Sequence, residues 1–114
     1  MDCIFCKIAT KETQATIVYE NPEILAFEDI HPQAPVHTLI VPRRHIPTSN
    51  DLAPEDAALA GKLLLCAREV AKKKGIDQNG YRIVVNCNSE GGQMVYHLHL
   101  HLLGGRPLGG KLCK

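Results

Sequence analysis

Apolar and polar positions divide this chain into short strands gathered around one helix. Residues 15–20 (Ala-Thr-Ile-Val-Tyr-Glu) have the β-branched and aromatic character of a strand, and Asn21-Pro22 ends it in a turn. Residues 24–29 read as the returning strand, and the two prolines between Ile30 and Pro35 impose a loop. A third strand spans residues 37–41 and stops at Pro42, which has no N–H for a sheet ladder. A helix opens at Pro54 with Glu55 and Asp56 near the positive end of its dipole, and runs to about Lys74 with Gly75 as its cap. Leu59, Leu63, Cys66 and Val70 form its apolar stripe, flanked by Ala60, Leu64, Ala67 and Ala71. Strands over 81–87 and 95–103 complete the set, separated by the loop Asn88-Ser89-Glu90-Gly91-Gly92-Gln93. The stripe needs an apolar partner, and the sheet is the candidate. Hairpin-length gaps then predict an α+β domain built on an antiparallel sheet.

The last of these strands carries the candidate chemistry. His97-Leu98-His99-Leu100-His101-Leu102-Leu103 alternates strictly, so a strand would project three imidazoles from one face and the leucines from the other. The leucine face suits the underside of the helix; the histidine face is either open to water or holds a ligand. Three imidazoles side by side can bind a metal. They can also divide the work of nucleophile, acid and base, because histidine titrates near neutrality. Gly91-Gly92 allows backbone N–H groups close to a ligand, and such donors suit phosphate oxygens; Asn86 belongs to the same end of the sheet. Attack by imidazole on phosphorus is a coherent use of such a site.

Composition narrows the partners. At 114 residues, 45% hydrophobic and 22% charged, the chain reads as one folded domain over 1–114 rather than a disordered segment. Thirteen basic against twelve acidic residues leave no field for nucleic acid, and 4% aromatics without tryptophan give no platform for stacking bases. No basic segment followed by an apolar run opens the chain, and no stretch approaches the ~18 apolar residues of a membrane span. Neither an export signal nor a membrane partner is expected. An odd number of cysteines, five, fits reduced thiols or metal ligands and a cytoplasmic protein.

Residues 91–106, Gly-Gly-Gln-Met-Val-Tyr-His-Leu-His-Leu-His-Leu-Leu-Gly-Gly-Arg, closely resemble the signature of the histidine-triad (HIT) superfamily, and most of all its Hint branch of nucleoside phosphoramidate hydrolases. Phe27-Glu28-Asp29-Ile30-His31-Pro32-Gln33-Ala34-Pro35 and His37-Thr38-Leu39-Ile40-Val41-Pro42 match that branch as well, so the resemblance spans nearly the whole chain. It implies a HIT-like α+β fold, a five-stranded antiparallel sheet with one long and one short helix. It also implies a homodimer with a continuous ten-stranded sheet. The implied reaction is hydrolysis of the P–N bond of purine nucleoside 5′-phosphoramidates to AMP (or GMP) and an amine, with no catalytic metal. The same superfamily offers an alternative, a dinucleoside polyphosphate hydrolase, and a nucleotide-binding or scaffold role is the non-enzymatic one. The transferase branch reads His-Pro-His where this chain has His-Leu-His.

By this resemblance His99 is the nucleophile, His101 contacts phosphate and moves the leaving group's proton, and His37 supports His101. Asp29, with Ile30 beside it, holds the ribose hydroxyls. Asn86, Gly92, Gln93 and Met94 form the phosphate-side loop, and Phe5, Ile8, Phe27 and Leu39 form the slot for the base. An imidazolium at His101 is the expected proton source. Met94 replaces a serine of many relatives, and Thr13 and Gln14 replace Ile-Pro, which makes the rim of the base slot more polar. Leaving-group preference is left open.

Cys3 and Cys6 form a C-x-x-C pair, which is weak by itself. Some bacterial HIT proteins and the related galactose-1-phosphate uridylyltransferases resemble this arrangement and bind zinc there. The matching set is Cys3, Cys6, His45 and His97, which would be structural. Two reduced cysteines packed as small apolar groups are the alternative. Cys66 falls on the helix stripe and is expected in the core; His31 and the lysines at 72–74 are expected in solvent.

Overall fold

A computed structural model describes residues 3–110; Cys113, for which the sequence suggests no role, lies outside the described residues. The element order is α1 (Ile4–Ala9), β1 (Ile17–Glu20), β2 (Ile24–Glu28), β3 (Val36–Pro42), α2 (Ala57–Lys73), β4 (Tyr81–Val84) and β5 (Leu100–Gly104). The strands make one antiparallel sheet in the order β1-β2-β3-β5-β4. This is the five-stranded α+β architecture that the sequence predicts, with α1 as the short helix and α2 as the long one. Among the described residues no helix is long and apolar enough to cross a membrane.

The sheet has two different faces. On one, α2 packs Leu63, Cys66, Ala67, Val70 and Ala71 against Ile24, Ala26, Ile40, Leu98, Leu100 and Leu102. On the other, α1 packs Phe5 and Ile8 against Leu25, Phe27, Leu39 and Val41. The central strands are therefore apolar on both sides: β2 is buried from Ile24 to Phe27 and β3 from His37 to Pro42. At α2, Pro54–Asp56 form a separate 3₁₀ turn before the helix proper, and Gly75 takes φ +74° just beyond it. Cys66 lies in the core as expected, but Leu64 does not: it is 55% exposed, as is Leu65 at 49%. The helix buries a stripe narrower than the run of apolar residues it carries.

Two strands are shorter than their sequence patterns. The fourth ends at Val84 rather than residue 87, and the fifth begins at Leu100 rather than residue 95. Val84 pairs with His101 and Ile40 with Leu100, which are the last rungs of the two ladders. Beyond them the chain is held by other bonds. The Leu98 N–H donates to the Ile46 carbonyl at 2.6 Å, and the ring of His97 bonds the carbonyl of Pro42 at 2.7 Å. Alternation nevertheless survives outside the ladder. Leu98, Leu100 and Leu102 remain in the core under α2, while His97 and His99 turn to α1 and His101 lies beside His99.

Candidate active site

The three imidazoles lie in a row with rising access to solvent. His97 is fully buried, His99 is 7% exposed and His101 is half-buried. Ring centroids are 4.9 Å apart for His99 and His101, and Phe5 of α1 meets His97 and His99 edge-on at 5.9 and 5.1 Å. The rings share one side of the chain, but His97 is withdrawn from the open face.

Hydrogen bonds assign each ring a tautomer. At His99, Nδ1 lies 2.7 Å from the carbonyl of His97; a carbonyl only accepts, so Nδ1 carries the proton and Nε2 keeps a lone pair. At His37 the Gln33 N–H donates to Nδ1 at 3.0 Å, which puts the ring proton on Nε2. That Nε2–H points to Nδ1 of His101 at 2.9 Å and to the Asp29 carboxylate at 3.3 Å. His101 accepts on Nδ1 and so holds its own proton on Nε2. At His97, Nε2 donates to the Pro42 carbonyl, leaving Nδ1 as an acceptor.

Burial lowers the pKa of all four of these histidines, because a charged ring loses its hydration. His101 falls furthest, to about 4, through burial first and then its neighbours His99 and His37, with Asp29 opposing. The imidazolium expected at His101 is thus not its resting form. At neutral pH the free site holds neutral rings, and His101 offers a neutral Nε2–H.

A cavity of about 510 Å³ opens in front of this row. Phe5, Ile8, Phe27 and Leu39 line its apolar wall, and Asp29, Ile30, Asn86, Gly92, Met94, His37, His99 and His101 line it as well. Gln93 is the exception. Its side chain is buried and spent inside the loop, donating to the carbonyls of Pro47 and Val95 and accepting from the Asn88 N–H. The loop also uses the N–H groups expected to meet phosphate: Gly91 and Gln93 donate to Asn88, and Gly92 to Ser89. None of these bonds involves the Met94 N–H. Gly91 is required for a different reason, since a Cβ there would lie 2.4 Å from the Cys87 carbonyl oxygen. Sequence reasoning missed Gln33, Val95 and exposed His31 as parts of the wall; proline-rich and irregular segments have no periodicity that points a side chain.

Two groups of side chains have metal-ligand spacing. Cys3, Cys6, His45 and His97 bring one ligand atom each to within 4.8 Å of the others. His45 Nδ1 and His97 Nδ1 are 3.3 Å apart, and sulfur-to-nitrogen separations are 3.3 to 3.5 Å. A tetrahedral zinc with ordinary bond lengths requires nitrogens ~3.3 Å apart and sulfur-to-nitrogen edges of ~3.5 Å. The donor set, its spacing and the His97 tautomer all fit. In the absence of an ion, burial and the neighbouring Cys3 push the Cys6 thiol up to about 11. The second group, Asp29, His37 and His101, is close enough but wrongly protonated: its central nitrogen, His37 Nε2, carries the ring proton.

The fold and the row of rings define a histidine-triad protein. The family model for the HIT domain matches residues 10–108, and the chain belongs to that family. It is 48% identical over 108 residues to the purine nucleoside phosphoramidase of Escherichia coli (strain K12), covering 95% of this chain and 91% of that protein. It is 53% identical over 106 residues to an uncharacterized HIT-like protein of Synechocystis, covering 93% and 92%. Among solved structures, a HIT family hydrolase from Legionella pneumophila Philadelphia 1 superposes with a TM-score of 0.93 at 53% identity, over 95% of this chain and 96% of that one. A histidine triad protein from Clostridium difficile reaches 0.95 at 44% identity, over 97% and 96%.

Proposed function

We propose that this protein is a single-domain hydrolase that cleaves the P–N bond of purine nucleoside 5′-phosphoramidates, through a nucleotidyl intermediate on His99. One observation carries the reading. The bond from His99 Nδ1–H to the His97 carbonyl leaves Nε2 as an unprotonated nucleophile at the cavity. The base lies in the slot of Phe5, Ile8, Phe27 and Leu39, with Asp29 and Ile30 beside the ribose. Asn86 and the Met94 N–H attend the phosphate, Gly92 lines the cavity beside them, and Gln93 holds their loop in shape. Nε2 of His99 bonds phosphorus as the P–N bond breaks, and the departing nitrogen takes the proton from Nε2 of His101. Water then attacks phosphorus, returns a proton to His101 and frees His99. The bound phosphoryl anion favours the protonated form of His101 that burial disfavours in the free protein.

The four-ligand cluster fits a structural zinc, which would tie α1 to His45 and to the start of the triad, with no part in the reaction. A homodimer is supported by the surface. Leu64 and Leu65 are exposed on α2, Val85 is exposed just past β4, and β4 is an edge strand. Joining two β4 edges would give a ten-stranded sheet. The free thiols of Cys3, Cys6, Cys66 and Cys87 suit a reducing compartment, the cytoplasm.

The test is to quench turnover of an adenosine 5′-phosphoramidate in its first cycle and to locate the adduct by mass spectrometry. An AMP group on His99, and turnover unaffected by chelator, are expected. Turnover that persists in His99→Gly, or faster cleavage of diadenosine polyphosphates than of phosphoramidates, would overturn the assignment.

A further inference from the structure

A second cavity, of about 490 Å³, adjoins the first and shares Gln33, His37, Asn86 and His101 with it. Its far side is built by Arg82 and Arg106, with Val84, Leu103 and Leu108 between them. Sheet register explains the placement. Leu103 pairs with His37 on one side and with Arg82 on the other, and His101 pairs with Val84, so Arg82 lies two strands from His37 in the same row. At the usual strand spacing that is ~10 Å.

The charge of the two cavities differs. Glu28 and Asp29 line the first, whereas among the described residues no carboxylate lines the second. Arg43, Arg44 and Arg68 pair with Glu20, Asp56 and Glu69. Arg82 and Arg106 instead bond backbone carbonyls. Arg82 donates to Gly109 at 2.6 Å, and Arg106 to Pro107 and Gln33 at 2.9 and 3.0 Å. These bonds orient the two guanidiniums, pair neither with a carboxylate of the described residues and leave further N–H groups on each.

Resting on the phosphoramidase reading, we propose that Arg82 and Arg106 form a leaving-group subsite that selects amines carrying an oxyanion, a carboxylate or a phosphate-like group. With the nucleoside in the first cavity and phosphorus at His99, the departing amine lies on the His101 side, where the second cavity begins. The P–N bond breaks, the nitrogen takes the His101 proton, and the amine's own anion stays between the guanidiniums.

The experiment compares three adenosine 5′-phosphoramidates of similar length, made from β-alanine, 2-aminoethylphosphonate and neutral β-alaninamide. The expected result is a kcat/KM about 10-fold higher for at least one anionic substrate, shrinking with salt; the anion with the larger gain identifies the source. Arg82→Gln and Arg106→Gln should each pull this ratio toward one, and Arg106→Lys should restore part of it. A ratio near one in the unaltered protein at low salt, or one that neither substitution changes, overturns the subsite. If none of the three is cleaved, the activity reading fails, and their dissociation constants by calorimetry decide the subsite. Tighter binding of an anionic amide, lost in the double variant, supports it; equal binding overturns it.

Discussion

Nε2 of His37 lies 2.9 Å from Nδ1 of His101, and the Gln33 N–H holds the opposite side of the His37 ring at 3.0 Å. This relay runs from a loop amide through two rings and settles which nitrogen of His101 carries the proton facing the cavity. His37 lines the cavity, and in the proposed reaction it acts chiefly through His101. His37→Ala should therefore lower kcat by about 10- to 100-fold, while KM for a phosphoramidate changes little. His37→Gln, whose amide can still donate toward Nδ1, should recover part of the loss. Steady-state kinetics on both variants checks this.

The relay also shows why some of the site was legible in the sequence and some was not. Period-two alternation placed the leucines under α2 and the histidines opposite, and it held even where the ladder did not, because burial rather than ladder pairing decides which side a residue takes. Phe5, Phe27 and Leu39 are put at an apolar slot by the family resemblance rather than by alternation, and they line the apolar wall of the cavity. Protonation could not be read, since the fall of His101 to about 4 comes first from burial, then from His99 two residues away and from His37, distant in sequence, and only the fold sets the burial and brings in His37. The partners of Gln93 and of the loop N–H groups could not be read for a related reason: a turn's own carbonyls compete for the donors that its glycines bring close to a ligand.

Glycine 91 makes that competition testable. A Cβ at this position meets the backbone of Cys87, with the carbonyl oxygen at 2.4 Å and the nitrogen at 2.8 Å, and neither atom can swing aside as a side chain would. Gly91→Ala should displace the loop that sets Asn86 and Met94, raising KM for the nucleotide several-fold and costing ~1–3 kcal/mol of stability. Gly110→Ala, where a Cβ meets nothing of the described residues within 4 Å, is the matched control. Calorimetry and nucleotide titration of both proteins give the comparison.

The cysteine–histidine cluster predicts a metal-dependent stability. Purified protein should contain about one zinc per chain, and chelation or Cys3→Ala should lower Tm by several degrees or more. Removal should leave Cys6 protonated near neutrality, given a thiol pushed up to about 11. Elemental analysis with a thermal melt measures both. A metal-free protein as stable as the purified one would refute the site.

Acid should weaken the fold through His101. Its pKa is depressed in the folded protein, so between about 4 and its unfolded value of ~6.5 the unfolded chain binds the extra proton. Stability is therefore undiminished above pH ~6.5, declines as pH falls through that window, and stops declining from this source below about 4. The ring is only partly buried, and solvent screening reduces the effect to ~1–2 kcal/mol. His101→Asn keeps a polar group of similar reach without the titration, so its melts between pH 7 and 4.5 should fall less steeply than those of the unaltered protein. Any metal held by the cysteine cluster would also be lost in acid, but that loss would contribute to both proteins and cancel in the difference. Adding AMP should flatten the unaltered protein's slope, because the bound phosphate favours protonated His101, and should leave the slope of His101→Asn nearly as it was. Equal slopes for the two proteins without nucleotide would show that His101 does not titrate in this window.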